Sequence, residues 1–253
     1  MPKLAVDGIR LHYVERPGGG ESIVFAHGHH GTHHAWDDLI AAFPAPYRAL
    51  AFDLRGCGGS DKPADGYTSA DYAGDLLGAA DALALGPFTL VGYSLGGVAA
   101  VQAALDRPDR IRRLVLVAVA ALDGIPPERP LPEHPPAPRE PRRAGLVSMM
   151  ARPLSVARVE QLLDDEESWT REASRGAIDG LRPLRLGGRL GELTIPSLVV
   201  VGDRDRLLEA NLAVAARLPN AGLQVYHRAS HLLPMELPGQ VADLIADFMT
   251  TSG

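Results

Sequence analysis

The chain predicts an α/β fold: a doubly wound, mostly parallel sheet carrying an inserted helical lid. Three observations point there. Short apolar runs alternate with helical periodicities along most of the 253 residues. That alternation breaks once, between Asp123 and Pro196. One apolar run, Phe88–Val91, leads directly into Gly92-Tyr93-Ser94-Leu95-Gly96 and then into an Ala/Leu/Val-rich helical pattern.

Taken in order, Leu4–Val6 and the alternating Ile9–Val14 read as a small antiparallel pair at one edge. Gly18-Gly19-Gly20 turns the chain into Ser22–Ala26, a short apolar run of the buried-strand type. Arg48–Asp53, Phe88–Val91, Arg113–Val119 and Ser197–Val201 repeat that pattern, and Gly222–Tyr226 is a weaker last strand. Helical periodicity covers Ala35–Phe43, Ala70–Leu85, Leu95–Leu105, Leu207–Leu218 and Gln240–Met249. Residues 126–141 contain eight prolines, which bars a regular helix or an internal strand there. Beyond them, Leu146–Leu163 and Glu166–Ile178 look amphipathic. The expected organisation is a core of residues 1–122 and 196–253, with residues 123–195 inserted as a lid whose arm, 126–141, is proline-rich.

Composition narrows the function classes. The hydrophobic fraction of 46% supports a sizeable core. A net charge of −6, with no Lys/Arg block, argues against nucleic acid as partner. No apolar run approaches the ~18 residues of a membrane span, and the N-terminus lacks a signal-peptide pattern. A single cysteine, Cys57, excludes an internal disulfide. A soluble cytoplasmic protein acting on a small molecule is the expectation.

The chemistry is concentrated at four loops. A serine in a G-x-S-x-G turn between strand and helix projects its hydroxyl above the sheet edge, with a helix N-terminus below to favour developing negative charge. Acyl transfer at such a serine needs a base, a carboxylate to orient the base, and two N–H groups for the oxyanion. The strand Ser197–Val201 ends in Gly202-Asp203-Arg204-Asp205, supplying two acids where such sheets build their sites. His231 follows the last strand, just before the final helix. Phe25-Ala26-His27-Gly28-His29-His30-Gly31 follows another buried strand, and its glycines let the backbone turn an N–H toward the serine.

These motifs resemble those of the α/β-hydrolase superfamily, of the lid-bearing type that includes esterases, haloperoxidases, dehalogenases and epoxide hydrolases. His27-Gly28 is similar to the family's oxyanion loop, and Asp53-Leu54-Arg55-Gly56-Cys57-Gly58-Gly59-Ser60-Asp61-Lys62-Pro63 to its D-x-R-G-x-G-x-S-D-x-P segment. Gly92–Gly96 matches the nucleophile elbow and Gly202–Asp205 the acid turn. His231 matches the histidine ahead of a P-x-x-E-x-P run. The resemblance implies Ser94 as nucleophile, His231 as general base and Asp205 as orienting carboxylate, with the N–H groups of Leu95 and His29 as oxyanion donors. Asp203 is the rival acid and Asp123 a remoter one. Dehalogenases and epoxide hydrolases of this type carry aspartate as nucleophile to attack saturated carbon; Ser94 turns the reading toward carbonyl substrates.

Other residues carry weaker signals. Five histidines between His27 and His34 raise a metal reading, but the loop motif and a helix start account for them, so no metal is expected. His30, Tyr93, Trp36, Met149 and Met150 are expected at the substrate pocket. Core packing is the alternative role for Tyr93 and Trp36, and plain packing an equal one for the two methionines. Cys57, with no adjacent base, is incidental, and Asp164–Glu167 is a solvated face or turn between lid helices. The function expected is a cofactor-free serine hydrolase of a small or medium carboxylic ester or lactone. Acyl transfer, perhydrolysis, carbon–carbon bond hydrolysis and a ligand receptor with little turnover are the alternatives.

Overall fold

Strands buried on both faces build the molecule. In the computed structural model, which describes residues 2–44, 47–128, 130 and 137–251, one eight-stranded sheet has the order β1-β2-β4-β3-β5-β6-β7-β8. The strands are β1 (Lys3–Val6), β2 (Ile9–Arg16), β3 (Ser22–Ala26), β4 (Arg48–Phe52), β5 (Phe88–Tyr93), β6 (Ile111–Val117), β7 (Ser197–Gly202) and β8 (Ala221–Tyr226). β1 with β2 and β2 with β4 are antiparallel; all the other pairings are parallel. Val24, Ala26, Leu50, Phe52, Leu114 and Leu116 fill one hydrophobic cluster, while Ile23, Phe25, Ala49, Ala51, Val115 and Val117 fill another. Alternate side chains must take opposite faces, so an apolar strand demands a helical layer on each side.

Those layers form as the periodicity predicts. α2 (Ser69–Ala82), α3 (Leu95–Asp106) and α7 (Leu208–Arg217) contribute to the first cluster, and α1 (Asp37–Ala42) and α9 (Pro238–Thr251) to the second. α2 starts at a capping box, with Thr68 accepting from the Asp71 N–H and Asp71 accepting in return. The helix expected over Ala35–Phe43 begins instead as a 3-10 turn, His33–Trp36, whose first N–H groups are capped by Thr32.

Among the described residues, three α-helices, α4 (Arg139–Met149), α5 (Val156–Glu167) and α6 (Arg171–Leu181), and a 3-10 helix, Leu186–Glu192, lie between β6 and β7. The boundaries differ from expectation for identifiable reasons. The single helix over Leu146–Leu163 is two helices, because Pro153 lacks the N–H a helix interior needs and Ser155 caps a fresh start by accepting from Arg158. The helix expected from Glu166 starts at Arg171, capped by Thr170. The proline-rich arm also ends earlier than residue 141. α4 begins at Arg139 with Pro141 in its first turn, where a missing N–H breaks no bond. Position 129 and residues 131–136 of that arm lie outside the described residues.

α4 buries none of its residues; it is held to α5 by ion pairs from Arg139, Arg142 and Arg143 to Glu160, Asp164, Glu166 and Glu167. Among the described residues, no helix is long and apolar enough to cross a membrane.

Candidate active site

Ser94 occupies the turn between β5 and α3 at φ 51° and ψ −112°, a conformation that non-glycine residues adopt only where the surroundings enforce it. Its N–H donates to Val117 O at 3.0 Å, and its carbonyl accepts from Gly97, Val98 and Ala120. The flanking glycines are sterically required. A Cβ on Gly92 would stand 2.5 Å from the Gly96 carbonyl oxygen, and one on Gly96 would stand 2.2 Å from that of Ala26.

Two loops from the C-terminal ends of β7 and β8 bring an aspartate and a histidine to this serine. His231 Nε2 lies 3.1 Å from Ser94 Oγ, and its Nδ1 lies 2.8 Å from Asp205 Oδ2. A carboxylate oxygen only accepts, so Nδ1 carries the ring proton and Nε2 presents its lone pair to the serine hydroxyl. Asp205 is buried, and its other oxygen accepts from the Leu207 N–H at 2.9 Å. The base loop is braced next door. Glu236, in the short helix α8 (Leu233–Glu236), accepts from the Ser230 N–H and hydroxyl, both at 2.8 Å. Glu236 also accepts from the N–H groups of Ala151 and Arg152, tying this loop to the segment between α4 and α5.

The rival acids point elsewhere. Asp203 meets His227, whose ring is 83% exposed, at 2.7 Å. Asp123 pairs with Arg217 at 2.6 Å on the surface.

The loop after β3 passes directly over the serine: a Cβ on Gly28 would lie 3.1 Å from Ser94 Cβ. His29 follows, while Leu95 opens α3, in the first turn, where N–H groups lack intrahelical acceptors. Helices from the insertion seize this loop. His29 Nε2 donates to Ser174 O at 2.9 Å, His30 Nε2 lies 2.7 Å from Ser174 Oγ, and Trp169 Nε1 donates to Gly31 O at 2.8 Å. Neither Ser174 nor Trp169 carries a local sequence signal for such a role. His34 is held in the same manner, 2.7 Å from Asp165 on α5; a hydrogen bond to that carboxylate raises its pKa. Asp164–Glu167, expected as a solvated face or turn, closes α5 as a helical face, and Asp165 within it is buried.

Behind the loop lies a buried polar hub. Asp53 accepts from His12 Nδ1 (2.9 Å), His33 Nδ1 (2.8 Å), the His33 N–H (2.8 Å) and the Gly59 N–H (2.8 Å). Burial alone would raise this carboxyl, but the His33 and Gly59 hydrogen bonds outweigh it and hold the group far below the usual carboxylate range. His12, His33 and Asp53 are also the group whose atoms cluster in the manner of metal ligands, although both carboxylate oxygens are taken up by these hydrogen bonds. His27 is neutralised by burial, with Nδ1 donating to Gly28 O and Nε2 accepting from the Leu54 N–H at 3.0 Å. Cys57 does have a neighbouring base in space, His27 Nε2 at 3.4 Å, but burial pushes its thiol pKa up and its S–H donates to Leu54 O.

The expected pocket residues separate. Tyr93 lies beside His231, ring centroids 5.2 Å apart, and is almost wholly buried. Trp36 takes the core alternative: it is 0% exposed and packs against Tyr93 and Phe25 in the second cluster. His30 is engaged by Ser174 and keeps its side chain 30% exposed. Met150 packs on the second cluster, while Met149 is 53% exposed at the end of α4.

A strand–serine–helix turn with a histidine and carboxylate hydrogen-bonded in line defines the hydrolase class of this fold. The alpha/beta hydrolase family model matches residues 23–244, and the chain is a hydrolase belonging to that family. It is 29% identical to a 2-hydroxy-6-oxononadienedioate/2-hydroxy-6-oxononatrienedioate hydrolase from Dechloromonas aromatica over 96% of this chain and 91% of that protein. It is 41% identical to an epoxide hydrolase from Caballeronia sordidicola over 119 residues, which is 46% of this chain and only 36% of that protein's length. A solved N-acyl homoserine lactone degrading enzyme superposes with a TM-score of 0.80 at 25% identity, covering 98% of this chain and 100% of that one.

Proposed function

We propose that this chain is a serine hydrolase that cleaves a small or medium carboxylic ester or lactone through an acyl-enzyme on Ser94. One observation carries the reading: Asp205, His231 and Ser94 form an unbroken hydrogen-bonded line, with links of 2.8 and 3.1 Å. Ser94 Oγ attacks the carbonyl carbon while His231 Nε2 takes its proton, and Asp205 stabilises the imidazolium that forms. The N–H groups of Leu95 and His29 hold the oxyanion. Collapse expels the alkoxide, which takes the proton from His231. Water, deprotonated by the same nitrogen, then attacks the acyl-enzyme, and Ser94 Oγ leaves with the proton returned from His231 as the acid is released. These steps draw on no cofactor. In this account α4–α6 act as a lid on a core of residues 1–122 and 196–253, and the substrate is a small molecule.

The serine decides against epoxide opening, despite the local identity to an epoxide hydrolase. Attack on saturated carbon is served by a carboxylate nucleophile, whose ester can be hydrolysed afterwards, whereas a serine ether could not. A second reading, hydrolysis of a carbon–carbon bond beside a ketone, uses the same three residues. It is favoured by the similarity to the Dechloromonas hydrolase along nearly the whole chain.

A fluorophosphonate probe followed by peptide mapping tests the nucleophile, and a panel of esters, lactones and vinylogous 1,5-diketones then separates the two readings. Labelling at Ser94 with ester or lactone turnover supports the proposal. Turnover of the diketones alone moves the chain to the second reading, and absence of labelling overturns both.

A further inference from the structure

The turn that carries His29 is strained. Gly31 N–H donates to Gly28 O at 3.1 Å, and the third residue of the turn, His30, has φ +63°. That position in such a turn ordinarily takes glycine, because a side chain there is crowded by its own backbone. Conformations of this kind persist where the surroundings over-determine them.

The surroundings here come from one short stretch of the insertion. Ser174 accepts at its carbonyl from His29 Nε2 (2.9 Å) and meets His30 Nε2 with its hydroxyl (2.7 Å). The two imidazoles stack with centroids 3.8 Å apart. Glu166 faces His30 Nδ1 at 3.5 Å, which favours the tautomer protonated on that nitrogen and leaves Nε2 to accept from the Ser174 hydroxyl. Trp169 holds the next residue, Gly31, through its carbonyl, and packs edge-on against both rings at 5.1 and 5.9 Å. Ser174 is itself buried and fixed: its N–H donates to Thr170 O at 2.9 Å, and Thr170 N–H donates to Gly56 O at 3.1 Å. Three successive residues of the turn are thus gripped by three groups within six residues of the insertion.

We infer that Ser174 is a positioning residue for the oxyanion turn, acting through His29 and His30 to hold the His29 N–H in line with Ser94. The inference rests on the proposed serine-hydrolase reading. Removing an oxyanion donor outright costs about 10²–10³ in kcat; a donor left in place but free to drift costs a part of that. Since the hydroxyl acts only through His30, its loss adds nothing once the imidazole is gone.

The test compares Ser174→Ala, His30→Ala and the double variant in steady-state hydrolysis of a p-nitrophenyl ester. The same proteins are titrated with a trifluoromethyl ketone, whose hemiketal oxyanion needs the same donors. Each single variant is expected to lose about tenfold in kcat with KM within about twofold of the parent. The double variant should be no slower than the slower single. Ketone affinity should fall by the same factor as kcat, with thermal melts unchanged. Wild-type kcat in Ser174→Ala, losses that multiply in the double variant, or a loss carried by KM with ketone binding intact would each overturn the inference. Fluorophosphonate labelling of the wild-type protein is scored first; its absence at Ser94 overturns the parent reading and this one with it.

Discussion

Asp205 Oδ2 lies 2.8 Å from His231 Nδ1, while two residues earlier Asp203 Oδ2 lies 2.7 Å from His227 Nδ1. The two pairs are nearly identical in geometry and opposite in consequence. His231 turns its second nitrogen to Ser94; His227 turns its second nitrogen to solvent.

That contrast makes a paired prediction. Asp205→Asn keeps the shape but leaves His231 without a carboxylate to hold its tautomer, so kcat for a p-nitrophenyl ester is expected to fall by about 10⁴. Asp203→Asn removes none of the links of the Ser94–His231–Asp205 line, although Asp203 also accepts from the Ala229 N–H at 3.4 Å, and kcat is expected to stay within about twofold of the parent. Equal losses in the two variants would move the orienting role away from Asp205.

Glycines separate in the same way. Gly96→Ala would drive a methyl to 2.2 Å from the Ala26 carbonyl oxygen, backbone that cannot swing aside. We expect destabilisation of about 3 kcal/mol or more, read as a lowered melting temperature or insoluble protein. Gly74, inside α2, has nothing within 4 Å of the same methyl. Gly74→Ala is therefore expected to raise stability by about 0.5–1 kcal/mol in urea titrations.

Acid stability is expected to centre on Asp53. Its pKa is lowered in the folded state, so it contributes stability that is present above its unfolded value of 3.8 and is lost as pH falls through the folded value. The melting temperature of the parent should drop as pH is taken from 5 toward 2, to which this group contributes through that linkage. Asp53→Asn turns an amide N–H₂ toward the donors at His33, His12 or Gly59. It should destabilise by about 3 kcal/mol at pH 7 and flatten the acid limb of the melting curve. An acid limb of unchanged slope in the variant would show that another group controls it.

Much of the fold is legible in the chain because its signals are local. Val24, Leu50 and Leu114 sit in short apolar runs between turn residues, and such runs belong to strands covered on both faces. The loops carrying Ser94, Asp205 and His231 are legible for a related reason: each follows a strand at the end where parallel sheets open. Boundaries within the insertion are harder, since the periodicity from Leu146 to Leu163 continues across Pro153, and only the missing N–H there breaks the helix. Trp36 misleads because an aromatic after a polar loop fits a pocket or a core equally well. Ser174 and Trp169 are illegible in principle. Their contacts with His29, His30 and Gly31 bridge roughly 140 positions of chain, and only the docking of α6 creates them.

The most direct test of the central claim is the intact mass of the protein quenched in acid during turnover of p-nitrophenyl butyrate, followed by peptide mapping. A nucleophilic Ser94 predicts a gain of one butyryl group, mapped to the peptide containing Ser94, and no gain and no turnover above background in Ser94→Ala. A butyryl group on another residue, or undiminished turnover in Ser94→Ala, would contradict it.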